Sequence, residues 1–281
     1  MSDSPPFSEL GTKPVDAGLP FARRRVGFPG ACGRLGICGD PVLSVIVPLR
    51  NEALNVVPLA QQIFKALEKN PSPLELLFVD DASTDETWRQ ILEAQRADAR
   101  VRPLRHLRHG GQSAALWTGL CAARGDVLST LDGDLQNDPA DVPLLLAQLP
   151  EWDLVCGVRA RRMDNGVRRF SSGVARTARR LMLGVDFRDI GCNLRVMKRS
   201  VLQTLLPFDG LHRFLPLLAH DAGARVKEMP VAHHPRVAGQ SKYGVWNRMG
   251  RGMYDLAMIA WYRKRQLANV AVVEHEPARL G

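Results

Sequence analysis

The sequence predicts an α/β fold with a mostly parallel sheet, and three observations carry that expectation. From Leu43 onward, short apolar runs rich in β-branched residues alternate with longer segments of helical period. Acidic residues gather at the ends of the short runs rather than along them. A chain of 281 residues with 45% apolar content is also long enough to bury one large core.

Taken in order, residues 1–40 form an arm rich in Pro, Gly and Arg, with Gly at every third position from Gly27 to Gly39. Five triplets are too few for a collagen-like helix, so this arm is expected to be disordered or loosely packed. Residues 41–245 read as the main domain and residues 246–281 as an amphipathic helix and tail. "LSVIVP" predicts a buried strand, "NEALNVVPLAQQIFKALEK" a helix that tolerates Pro58, and "LELLFVDD" the next strand. In "STDE", Ser83 and Glu86 have the spacing of a capping box opening a helix that ends near Ala97. A strand over Val101–Leu107, a helix over Gln112–Arg124 closed by Gly125, and a strand over Asp126–Leu131 complete the alternation.

The stretch "VLSTLDGDLQNDP" then poses a question, because an apolar strand ends in three Asp, one Gly and one Gln. Open α/β sheets bind ligands outside the carboxyl ends of their strands. Three acidic clusters fall at such ends: Glu52, then Asp80 with Asp81, then Asp132 with Asp134. A capped turn explains any one of them. Three facing one crevice favour a functional site. In "DGD" both carboxylates can turn toward one point, Gly133 leaves room for a ligand close to the backbone, and Gln136 adds a neutral oxygen. Hard oxygen donors without His or Cys suit Mg²⁺ or Mn²⁺, an ion that keeps positions for water and phosphate.

Composition narrows the classes of function. Lys and Arg number 38 against 29 Asp and Glu, an excess of nine that predicts attraction to something anionic. Aromatics are 6%, and with no stacking set or zinc finger a nucleic-acid partner is not expected. A nicotinamide oxidoreductase needs GxGxxG after the first strand, where this chain has "PLRNEA". Adjacent His233 and His234 would point to opposite faces of a strand and lack a third ligand, which argues against zinc. Cysteine is odd in number, five residues without CxxC spacing, and fits a reducing cytosol rather than a disulfide framework. No signal peptide and no spanning apolar run is visible, so the chain is expected not to cross a membrane.

The segments "IVPLRNE", "VDDASTDET", "GGQSAALWTGL", "LDGDLQNDP", "RDIGCNLRVMKR" and "GQSKYG" together resemble the polyprenyl-phosphate hexosyltransferases, the dolichol-phosphate mannose synthase type of family 2 glycosyltransferases. The resemblance covers roughly residues 42–265. It implies a GT-A, Rossmann-like domain followed by a C-terminal helix, and inverting transfer of a hexose to a dolichyl or undecaprenyl phosphate. Mannose leads, from GDP-mannose, with glucose or N-acetylglucosamine from a UDP-hexose behind it. A non-lipid acceptor and a non-catalytic nucleotide-sugar-binding module are the alternatives. By resemblance, Pro48, Arg50 and Glu52 line the nucleoside pocket, Asp80 takes the base or ribose side, and Asp132 and Gly133 face the donor. Asp132, Asp134 and Gln136 would hold the metal, with Asp134 essential to turnover. Arg159 and Lys242 correspond to phosphate contacts, Arg as a planar fork and Lys as a point charge. Asp189 could orient the acceptor or a sugar hydroxyl, act as base, or cap "IGCN", and the orienting role is favoured. The resemblance also sets His212 and Arg213 beside the acceptor. A lipid phosphate, already mostly a dianion at neutral pH, would need little base catalysis.

The closing segment places Trp246, Met249, Met253, Leu256, Ala257, Ile259, Ala260 and Trp261 near helical spacing, ahead of "YRKR". It reads equally as a helix packed on its own domain or as an interfacial helix. Arg159–Arg180 holds eight Arg against the single Asp164, which suits an anionic leaflet. A cytoplasmic chain held peripherally on the cytoplasmic face, alone or through an integral membrane partner, is the expectation.

Overall fold

A computed structural model describes residues 43–70, 73–159, 186–203, 205–235 and 245–265, with side chains in the last segment from Tyr254 on. Seven strands form one sheet: β1 (Leu43–Leu49), β2 (Leu74–Asp80), β3 (Val101–Arg105), β4 (Val127–Thr130), β5 (Leu154–Arg159), β6 (Arg195–Lys198) and β7 (Val226–Val231). Their order across it is β3-β2-β1-β4-β6-β5-β7. Every described pairing is parallel except the two made by β6, which runs against both β4 and β5. The mostly parallel α/β architecture follows the sequence expectation. β1 and β2 read as continuous apolar runs because helices cover both faces of the sheet.

One face carries α1 (Ala53–Ala66), α2 (Thr87–Ala97) and the short α4 (Val142–Leu146), which bury Val56, Leu59, Ile63, Ile91 and Leu145 against Val45, Val47 and Phe78. The other carries α3 (Gln112–Ala122), the one-turn α5 (Arg199–Leu202), α6 (Leu211–Asp221) and α7 (Val245–Lys264). These pack Leu116, Leu120, Phe214, Leu218, Leu256 and Ile259 on Ile46, Leu128 and Met197. Each buried side chain of this size contributes about 1.5–3 kcal/mol, so the two layers supply most of the driving force.

Several local expectations change. Ser83 does not cap α2: its hydroxyl accepts the Asn51 N–H at 2.9 Å, and Asp85 instead accepts the Thr87 N–H at 3.0 Å. The neighbouring loop competes for the serine and wins. β3 ends at Arg105, two residues before the expected Leu107, which is fully exposed. α3 ends at Ala122 rather than Arg124, because Gly125 lies against the backbone of Ser44 at the start of β1 and cannot close the helix. The arm 1–40, Lys242 and the arginines of 161–180 lie outside the described residues.

Two carboxylates tie the edge of the sheet opposite the crevice. Buried Glu75 accepts from the Ser44 hydroxyl and the Arg124 N–H, both at 2.6 Å, and from Arg102, joining β1, β2 and β3. Asp153 accepts from Lys198 Nζ at 2.9 Å and from the Arg225 side chain and N–H at 3.1 and 3.0 Å, joining β5, β6 and β7. The Arg225 donors, then Lys198, hold the Asp153 carboxyl well below the usual carboxylate range. Such a group adds stability above its unfolded pKa of about 3.9 and loses it as pH falls through the folded value. Asp153→Asn is therefore expected to lower Tm near pH 7 by a few degrees, about 1 kcal/mol for a partly exposed pair. Thermal melts in acid should show wild type and variant converging below about pH 4; a gap independent of pH would remove the ion pair from the account.

Candidate active site

Register brings the site together. Leu49 faces Asp80, Asp80 faces Arg105, and Ile46 faces Thr130, so β1, β2, β3 and β4 end along one edge. The loops leaving that edge are laced to one another. Asn51, at φ 49°, donates its N–H to Ser83 and accepts the Thr84 N–H at 2.9 Å through its side chain. The Glu52 N–H reaches Thr87 Oγ1 at 2.8 Å, and the Glu52 carboxylate takes the Asn55 amide at 2.7 Å. Pro48, Arg50 and Glu52 are half-buried around this turn.

The second acidic cluster acts on the protein rather than facing the crevice. Asp80 is fully buried, with Arg105 Nε at 3.1 Å and the Ser83 N–H at 3.1 Å. Asp81 accepts from His106 at 2.8 Å, His109 at 2.7 Å, and the Gly110 and Gly111 N–H groups at 2.8 Å each. Burying either charge without partners would cost several kcal/mol, and the β3 end one strand away supplies them. Gly111, at φ 89°, permits the turn that brings its N–H to Asp81.

The "DGDLQ" turn stands at the end of β4. Asp132 Oδ1 accepts from Gln112 Nε2 at 3.0 Å and from Asn193 Nδ2 at 2.7 Å, while Asp134 accepts the Gln136 N–H at 3.2 Å. Burial pushes the Asp132 carboxyl up, the Asp134 charge pushes it further, and the Asn193 amide with the Arg159 and Arg195 charges opposes them. Gly133 serves a different purpose from the one expected: a Cβ there would sit 2.3 Å from Leu49 Cδ2 and 3.1 Å from the Pro48 carbonyl oxygen, so β1 fills that space. His233 and His234 fold against the same turn, with the His234 N–H on the Gln136 carbonyl at 2.8 Å and its ring 3.1 Å from Asp138. Among the described residues no group of three His, Cys, Asp or Glu is placed to hold a metal.

Arg159 and Asp189 form one unit. The guanidinium forks the carboxylate at 2.6 and 2.7 Å, and Asp189 also accepts the Gly191 N–H at 3.2 Å. Burial opposes the Arg159 charge, yet the Asp189 carboxylate overrides it and holds the guanidinium above its usual range. Beneath them Arg195 is fully buried and donates Nη2 to the Ile190 carbonyl at 3.0 Å. Burial drives the Cys156 thiol up to about 12 and Cys192 to about 11, which leaves both inert as nucleophiles. Sequence reasoning missed Asn51, Gln112, Asn193 and Arg195, because no spacing rule links Asn193 to a carboxylate 61 positions away.

The family profile described as "Glycosyl transferase family 2" matches residues 44–206, more than half of the chain, from β1 through β6. The chain belongs to glycosyl transferase family 2. As a family 2 glycosyltransferase it is 36% identical over 240 residues to the dodecaprenyl-phosphate galacturonate synthase of Rhizobium johnstonii, covering 80% of this chain and 69% of that protein. It is 34% identical over 216 residues to the undecaprenyl-phosphate 4-deoxy-4-formamido-L-arabinose transferase of Salmonella choleraesuis, covering 76% and 66%. Among solved structures, glucosyl-3-phosphoglycerate synthase from Mycobacterium tuberculosis, in complex with Mn²⁺ and UDP-glucose, superimposes with a TM-score of 0.60 at 19% identity, covering 84% of each chain. That likeness shows the fold, the GT-A arrangement implied by the sequence resemblance.

Close packing at Gly133 is directly testable. Gly133→Ala should cost about 1–3 kcal/mol through the clash with Leu49. In chemical denaturation the Gly133→Ala/Leu49→Ala double variant should lose less than the sum of the two single losses; strict additivity would separate the two residues.

Proposed function

We propose that this glycosyltransferase moves one sugar from a nucleoside diphosphate to a polyprenyl phosphate, with inversion and with a divalent cation. The carrying observation is the Asp132–Asp134 turn standing at the crevice edge beside the Arg159–Asp189 fork. Both relatives named above act on a polyprenyl phosphate, and the chain spans about two thirds of their length.

The donor set fits a hard cation, since a half-buried carboxylate raised by desolvation and then by its neighbour's charge is relieved by a positive ion. Asp132, Asp134 and the Gln136 amide oxygen would hold Mg²⁺ or Mn²⁺, and the ion would supply charge neutralisation for a diphosphate leaving group. Pro48, Arg50 and Glu52 border the nucleoside, with buried Asp80 bracing that pocket from below through Arg105. Arg159 and Lys242 bind phosphate oxygens. Both Asp189 oxygens accept from Arg159 or the 189–191 turn, which favours the orienting role over the base. The acceptor phosphate is its own nucleophile, so the protein's contribution is in-line placement against the anomeric carbon and electrostatic support of the departing group.

Neither relative's name contains mannose, the sugar implied by the sequence resemblance; they carry galacturonate and a formamido-arabinose. The solved neighbour named above is in complex with UDP-glucose, so UDP-sugars lead the donor panel and GDP-mannose follows. The test offers each donor with a short polyprenyl phosphate and records product mass and released nucleotide together. Lipid-independent release, or no product with any lipid phosphate, would overturn the reading. In the same assay Asp134→Asn is expected to abolish divalent-dependent turnover while leaving the fold intact. Near-normal rates at saturating Mg²⁺ or Mn²⁺ would remove the turn from the metal site.

Attachment to the cytoplasmic face of a membrane is peripheral in this proposal. No described helix is long and apolar enough to cross a bilayer. α7 buries Leu256 and Ile259 in its own domain yet exposes Tyr254, Met258 and Trp261, spaced four and three residues apart, with Arg265 over the Trp261 ring. The buried face accords with a helix packed on its own domain, the exposed face supports the interfacial reading, and an integral membrane partner is the alternative occupant of that face. Replacing Tyr254, Met258 and Trp261 together by Ser should remove salt-resistant binding to anionic vesicles without lowering Tm. Equal co-sedimentation of variant and wild type at high salt would remove this face from the membrane account.

A further inference from the structure

The Arg159–Asp189 fork is only as well placed as the backbone that carries Asp189. Residues 186–191 belong to no helix or strand, so neither a ladder nor a helical turn fixes them. Side chains from the elements around them do so instead. The Phe187 ring packs edge-on against His220 of α6, with 6.1 Å between centroids, and fully buried Arg195 donates Nη2 to the Ile190 carbonyl at 3.0 Å. Between those two points the Arg188 N–H donates to both oxygens of Glu228, at 2.9 and 3.1 Å, and the Asp189 N–H donates to Glu228 Oε1 at 3.3 Å. An anion holds the N–H groups of this stretch and a cation holds its carbonyl.

Glu228 stands in β7, opposite Cys156 of β5. Its side chain is half-buried, and taking a carboxylate from water costs free energy that a basic partner usually offsets. Among the described residues no Lys or Arg pairs with it. Both oxygens are spent on the two N–H groups immediately ahead of the Asp189 side chain. Asp189 passes the constraint on, because its carboxylate accepts Arg159 Nε and Nη2 at 2.6 and 2.7 Å and the Arg159 N–H at 3.3 Å. The order of contact is therefore Glu228, the 188–189 backbone, Asp189 and Arg159.

We propose that Glu228 is a positioning residue of the cleft: it holds the 188–189 backbone and thereby sets, through Asp189, where the Arg159 guanidinium stands. The inference rests on the reading that Arg159 binds a substrate phosphate, and it extends that reading to a residue of β7 whose carboxylate bonds only backbone. The competing account is a Glu228 that fastens β7 to the 186–191 stretch and supports the fold alone.

The test is a double-mutant cycle read by calorimetric titration of UDP with Mn²⁺ and, separately, of citronellyl phosphate into the full chain, alongside Tm. Arg159→Ala identifies the ligand whose phosphate the guanidinium meets, and Arg159→Lys, which keeps a charge but loses the fork, is a second background. For that ligand Glu228→Ala should weaken binding about fivefold, the worth of one net hydrogen bond, and should add less than about twofold once Arg159 is replaced. Glu228→Gln, which keeps an acceptor oxygen at the same reach, should recover most of the affinity, and Glu228→Asp, one methylene shorter, should not. A loss that persists undiminished without Arg159, or a lower Tm with both affinities unchanged, would overturn the inference and leave the phosphate reading of Arg159 intact. Recovery by Asp and not by Gln would overturn it as well, since the effect would then belong to charge rather than to the hydrogen bonds. Arg159 variants that bind both ligands as wild type does would sink the two readings together. A wild-type chain that binds both ligands yet transfers no sugar would sink the proposed function alone.

Discussion

One reversed strand organises the crevice. β6 runs against β4 and β5 in a sheet whose other strands share a direction, so its entrance meets the exits of its neighbours. The chain entering β6 is therefore delivered to the edge where β1, β2 and β4 end, and it brings Asp189, Asn193 and Arg195 with it. A parallel strand in that slot would have carried the same residues to the far edge, beside Glu75 and Asp153. Backbone polarity, rather than any side-chain contact, makes the Asn193–Asp132 hydrogen bond possible.

The two edges of the sheet use charge differently. At the far edge Glu75 and Asp153 are each met by several donors and hold three strands together. At the crevice edge Asp80 and Asp81 do the same for the loops, and Asp81 alone gathers two histidines and two backbone N–H groups. The balance shifts beyond β4. Asp132 is raised by its own burial and by Asp134, and buried Arg195 has guanidinium hydrogens without acceptors among the described residues. A perturbed carboxylate beside a buried guanidinium is retained there at a cost to stability.

Rigidity follows from the same arrangement. The first two loops are stitched by Asn51, Ser83, Thr84 and Thr87, and the third is anchored on Asp81. A cleft built this way holds its donors in position before substrate arrives, which is the condition for electrostatic stabilisation of a departing diphosphate. Across the fork, one carboxylate both caps the 189–191 turn and aims Arg159, so local turn chemistry and the placement of that guanidinium share Asp189.

Much of this was legible in residue order. Alternating apolar runs and helical segments determined the layered α/β class, because periodicity is a local property of the chain. Acidic residues at run ends, above all Asp132 and Asp134, marked the crevice for the same reason. Errors came where a neighbouring loop outcompeted a local signal: Ser83 spacing suggests a cap until Asn51 takes its hydroxyl, and Gly133 suggests room for a ligand until Leu49 fills it. Tertiary structure alone decided that Asp80 and Asp81 face inward, that Asp189 belongs to Arg159, and that Asn193 and Arg195 stand beside the acidic turn. Those pairings join residues tens of positions apart, and their geometry comes from strand direction and register, which short-range pattern does not encode.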